Sequence, residues 1–117
     1  MKSTVSPALG SKPKVFFDRH ELGRILSLYG KNVSIGEWRD YAIDALEDRA
    51  VFSVFRHATE TPLYQIEKRP QEARRNGVYF VRTGAGAVLR QGHDLERVLT
   101  LLLPRRLGLV RADWRLA

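Results

Sequence analysis

The stretch AVFSVFRHATETPLYQIEK, residues 50–68, decides the architecture. Its first half, Ala50 to Arg56, carries Val51, Phe52, Val54 and Phe55. These β-branched and aromatic side chains would point to both faces of a strand, which is the pattern of a central strand buried on both sides. His57 to Pro62 is polar loop chemistry. Leu63 to Lys68 alternates Tyr64 and Ile66 with Gln65 and Glu67, so the two halves predict a β-hairpin.

Toward the C-terminus, Pro70 to Asn76 followed by Gly77 has proline near a helix start and glycine past its end, which predicts a short basic helical turn. Val78 to Thr83 and Ala87 to Gln91 flank Gly84-Ala85-Gly86, where glycine can supply positive φ, and predict a second hairpin. Asp94 is placed to cap a helix with Leu95, Val98, Leu99 and Leu102 on one face, ended by Pro104.

Toward the N-terminus, Asp18 and Glu21 have capping-box spacing, with Phe17 set to pack on Leu22. Leu22, Ile25, Leu26, Tyr29 and Val33 form a helical stripe, and Gly30 is expected to stop the helix at Tyr29. Ser34 to Asp48 reads two ways. Ser34 and Glu37 again have capping-box spacing and Trp38, Tyr41, Ala42, Ala45 and Leu46 make a helical stripe, yet Tyr41, Ile43 and Ala45 alternate as in a strand. The pattern leans toward helix. The whole predicts an α+β fold, a small antiparallel β-sheet with an N-terminal and a C-terminal helix packed on one face. Helix, antiparallel strands, helix is also the order of double-stranded RNA-binding domains, whose sequence signatures are absent here, so that analogy is one of fold alone.

The 117 residues suit one domain, read as 15–111 between a flexible tail at 1–14 and a C-terminal tail at 112–117. Absence of cysteine excludes disulfides, thiol nucleophiles and iron–sulfur ligation and suits a reducing, cytoplasmic setting. The longest apolar run, Val98 to Leu103, is too short to cross a bilayer, and no membrane association is expected.

Net charge is +7, and it is unevenly placed: residues 1–60 carry nine Lys/Arg against eight Asp/Glu, while residues 61–117 carry eleven against five. Ten of those eleven are arginines, suited to bidentate phosphate contacts and to stacking on bases. Lys68, Arg69, Arg74, Arg75, Arg82 and Arg90, interleaved with Tyr64, Tyr79 and Phe80, are the candidate phosphate contacts. Glu67 and Glu72 offer local partners to the same cations, and a solvated mixed-charge loop is the plain alternative.

Other motifs carry less. Gly84-Ala85-Gly86 lacks phosphate-loop spacing and precedes a strand where such loops open a helix. His20, His57 and His93 have no metal-ligand spacing, and Ser53, His57 and Asp44 lack a nucleophile elbow, so neither a metal, a cofactor nor catalysis is expected. Asp40, Asp44, Glu47 and Asp48 form an acidic cluster, read first as a solvated face offset by Arg39 and Arg49.

Phe17 to Leu22, Leu26 to Gly30, Gly36 to Asp44, Arg49 to Arg56, Pro62 to Tyr64, Ile66 to Lys68 and Gly92 to Leu95 together resemble a family of short bacterial proteins catalogued as domain of unknown function 2794. The likeness covers about Phe17 to Leu103 and implies a bacterial cytosolic protein, with no activity, ligand or catalytic residue to carry over. The residues themselves point to a small basic module for nucleic acid or a ribonucleoprotein. The alternative is a protein–protein interaction module or accessory subunit using Trp38, Tyr41, Asp40 and Asp44, with the positive charge serving solubility.

Overall fold

The computed structural model describes residues 13–57 and 61–104; the proposed tails therefore lie almost wholly outside the described residues. Five antiparallel strands, each paired with its sequence neighbour, form one meander in the order β1-β2-β3-β4-β5. They are β1 (Asp40–Ala45), β2 (Ala50–Phe55), β3 (Tyr64–Lys68), β4 (Tyr79–Thr83) and β5 (Val88–Gly92). Helix α1 (Arg19–Ser34) precedes them and α2 (Leu95–Leu99) follows, so the α+β class and its two terminal helices stand as the sequence predicts.

Helix α1 starts on the capping box. The Asp18 carboxylate accepts the Glu21 amide at 2.8 Å and Glu21 Oε1 accepts the Asp18 amide at 2.8 Å. It does not stop at Tyr29 but runs through Gly30 to Ser34. Glycine inside a helix costs about 1 kcal/mol, and the last turn offsets this by burial. Asn32, 4% exposed, donates from Nδ2 to the carbonyls of Leu28 at 3.2 Å and of Leu102 at 3.1 Å. The buried line is Glu21, Ile25, Leu28 and Asn32, so the expected stripe is rotated and Val33 faces solvent.

The segment 34–48 is not helical. Ser34 closes α1, its hydroxyl donating to the Lys31 carbonyl at 2.7 Å rather than capping a new helix, and Gly36 turns the chain at φ 82°. Asp40–Ala45 is then a strand, in register from Asp40↔Phe55 to Ala45↔Ala50. The physical reason lies in β2. It is buried along almost its whole length, and its outward backbone groups would be orphaned without a ladder partner on that side. Tyr41 adds a stacked contact on Phe52, ring centroids 5.0 Å apart, and an edge contact on Tyr29 at 4.9 Å.

Strand alternation then divides the sheet. Tyr41, Ile43, Phe52, Val54, Tyr64, Ile66, Lys68, Tyr79 and Val81 face the helices, while Asp40, Ala42, Asp44, Val51, Ser53, Gln65, Glu67, Phe80 and Arg82 face away. The core forms between sheet and helices from Ile25, Leu28, Trp38, Phe52, Val54, Ile66, Val81, Leu95, Val98, Leu99 and Leu102. Helix α2 is capped by Asp94, which accepts the Glu96 amide at 3.0 Å, and continues as a 3-10 turn over Thr100–Leu102. The β4–β5 hairpin turns at Gly86, φ 102°.

Candidate functional site

The six cations singled out by sequence do not form one patch. Lys68 faces the helices: its ammonium donates to Glu21 Oε1 at 2.8 Å and to the Phe16 carbonyl at 2.9 Å. The Tyr79 hydroxyl donates to the other Glu21 oxygen. Glu21 is 6% exposed. A carboxylate so buried must be paired and hydrogen-bonded to persist, and Lys68 and Tyr79 do both. Burial first, then the bond to Glu21 and nearby acidic charge, push the Tyr79 hydroxyl far above the ordinary tyrosine value.

Arg69 and Arg82 lie on the opposite face and converge on Glu67, 4% exposed, through Nε contacts of 2.9 and 3.0 Å to the same Oε1. Both guanidinium groups also flank the Phe80 ring, at 5.8 and 5.2 Å from its centroid. Arg49 completes the cluster, 4.0 Å from Glu67 and 2.9 Å from Asp48, with its Nε buried and without a hydrogen-bond partner. These arginines cover the outer face of the sheet and neutralise a buried acid. Alternation across β3 explains the split, since Glu67 and Lys68 are adjacent and point apart.

Arg74, Arg75 and Arg90 are exposed, and Arg90 shares a cleft with His93 and Arg97, which were not among the candidate phosphate contacts. The turn bearing Arg74 and Arg75 is drawn toward β5 by Gly77. At φ 118° Gly77 packs so closely on Gly92 that an added Cβ would lie 2.0 Å from the Gly92 carbonyl carbon. Gln91 Nε2 donates to the Gly77 carbonyl at 3.0 Å and fastens the same contact. Beyond it, Arg90, His93, Asp94, Arg97 and Thr100 line an open cleft of about 560 Å³. Arg90 is held there by the Arg97 carbonyl at 3.0 Å and Thr100 Oγ1 at 2.8 Å. Among the described residues the side chains of Arg74 and Arg97 make no ion pair, and Arg75 has only Glu72 at 4.0 Å. Sequence weighed His93 only as a metal ligand and passed over Arg97, because the contact of Gly77 with Gly92 and the His93 backbone is long-range. The only local sign was the glycine pair, Gly77 and Gly92.

The residues of the alternative reading separate as well. Trp38 is 4% exposed, tilted against Tyr29 and Tyr64 inside the core, so it supplies no surface. Tyr41 is 42% exposed. Asp40 and Asp44 share the outer face of β1, through strand rather than helical periodicity. Ser53 is buried and its Oγ accepts from Gln65 Nε2 at 3.1 Å. Among the described residues no three His, Asp or Glu side chains gather as a metal site would need, and no helix is long and apolar enough to cross a membrane.

Compared with known proteins, residues 15–99 match the model of a family described as "Protein of unknown function (DUF2794)". No curated protein matches the chain, and no solved structure does.

Proposed function

The chain belongs to the family DUF2794, and from the geometry of its basic end we propose that it is a non-catalytic module that binds the phosphate backbone of nucleic acid, alone or within a ribonucleoprotein. The observation that supports this reading is the cleft shared by Arg90, His93 and Arg97, against whose Gly92 the turn that follows Arg74 and Arg75 packs through Gly77. Exposed arginines without acidic partners are the ones free to exchange counterions for phosphates. Lys68, Arg69 and Arg82 instead hold buried carboxylates. Their part is to build the platform, and the phosphate contacts narrow to Arg74, Arg90 and Arg97, which have no ion pair among the described residues, with Arg75, which has only Glu72 at 4.0 Å.

The β1 side of the sheet carries Asp40, Asp44 and Glu47, with Asp48 paired to Arg49 and Arg69. Phosphate repulsion there orients the ligand on the basic end. The test is reversal of charge at the turn. Arg74→Glu with Arg75→Glu should weaken binding to generic RNA and DNA by about tenfold or more, uniformly across sequences, and flatten the salt dependence by about two phosphate contacts. Unchanged affinity in that variant, with the fold intact by circular dichroism, overturns the reading.

A further inference from the structure

The two edges of the sheet are built differently. Strand β5 is interrupted by a register shift opposite Val81 and Arg82, and Arg90 crosses from it to the Arg97 carbonyl and Thr100. Bulges and crossing side chains of this kind blunt an edge against further pairing. Strand β1 has neither, and its six residues run in unbroken register with β2.

Among the described residues, the backbone of β1 offers a row of groups with no ladder partner. The hairpin closes with the Leu46 amide donating to the Arg49 carbonyl at 2.8 Å, so by antiparallel alternation Asp40, Ala42 and Asp44 point to β2. Tyr41, Ile43 and Ala45 point outward. Among the described residues the only bond to this outward row is local: the Tyr41 amide donates to Asp40 Oδ1 at 2.9 Å. Beyond the strand the row is bounded at Leu46, whose carbonyl accepts the Val15 amide at 2.7 Å.

The side chains beside this row differ by face. Toward the helices lie Tyr41 and Ile43, 42% and 45% exposed, with Tyr29 behind Tyr41 and exposed Val33 one helical turn beyond it. On the outer face lie Asp40 and Asp44, roughly 13 Å apart at strand rise. We propose that the free edge of β1 docks an extended segment of a partner protein that alternates basic with apolar residues, added as a sixth strand. Arginine or lysine side chains of the segment face Asp40 and Asp44, and its aliphatic side chains pack beside Tyr41, Ile43 and Val33. A cation at Asp40 also draws the carboxylate from the Tyr41 amide and frees that amide for the ladder. Backbone bonds supply the attachment and alternate side chains the choice of partner. A second copy of the chain paired antiparallel about Ala42 is disfavoured, because that register sets Asp40 of one copy opposite Asp44 of the other, and like charges directly opposite destabilise a pair.

The test titrates the full chain with a synthetic peptide of about seven residues alternating arginine and valine, a usual strand length. The peptide should bind, and a version with glutamate in place of arginine should not. Methylating the peptide amides that face β1 should abolish binding, while methylating the alternate amides should leave it. Asp40→Lys with Asp44→Lys should reverse the preference toward the glutamate peptide. Three results would overturn the proposal: insensitivity to the position of methylation, dimerisation of the chain through this edge, or tighter binding of a peptide of residues 105–117, which would give the edge to the chain's own C-terminal segment.

Discussion

Glu21 does three jobs at once: it closes the capping box, receives Lys68 and receives the Tyr79 hydroxyl. Removing it leaves a partly buried ammonium without its partner and a helix start without its reciprocal bond. Glu21→Ala should therefore lose about 3 kcal/mol or more in urea unfolding, and a loss near that of an exposed glutamate would contradict the pairing. Tyr79→Phe should lose about 1–2 kcal/mol at neutral pH. The pH dependence of that difference follows from the raised hydroxyl value. The folded state keeps a proton that the unfolded chain releases near the ordinary tyrosine value of 10.0. The stabilisation is therefore complete below that value and is lost as pH rises above it. The gap between Tyr79→Phe and the parent should accordingly begin to close above about pH 10 and go on closing as pH rises further, and a constant gap would contradict it. Gly77→Ala should lose more than about 2 kcal/mol, because the backbone is left-handed there and the new Cβ would meet the Gly92 carbonyl; an unchanged urea midpoint would contradict that packing.

At the scale of elements, the Asn32 side chain ties the 3-10 turn after α2 to α1 through the Leu102 carbonyl. Asn32→Ala should cost about 1–2 kcal/mol and speed amide exchange over residues 100–103 more than in β2; uniform exchange would place the anchor elsewhere. The two hairpins and both helix starts were legible because their signals are local: alternation, glycine at a turn, aspartate at a cap. The state of 34–48 was not, since Tyr41, Ile43 and Ala45 fit either period and what selected strand was the unmet backbone of β2, which the periodicity of 34–48 itself does not show. The length of α1 was misread for a related reason. Its buried line includes Glu21 and Asn32, polar residues whose burial makes sense only once Lys68, Tyr79 and the Leu102 carbonyl are in place.

Among the described residues, Asp40, Asp44, Glu47 and Asp48 lie on or beside β1, while Arg90 and Arg97 share the cleft beside β5 without an ion pair. Composition revealed a basic second half but not which cations were committed. Lys68, Arg69 and Arg82 look identical in sequence to Arg74 and Arg97, and only burial of Glu21 and Glu67 tells them apart. The most direct test of phosphate binding is the affinity of the full chain for single- and double-stranded RNA and DNA across a salt series. With about four arginines engaged, log affinity should fall with log salt at a slope of about −3.6 on duplex DNA and about −2.8 on single strands, each phosphate contributing about −0.9 and about −0.7 respectively. Absence of binding at physiological salt, or a slope near zero, would contradict the account.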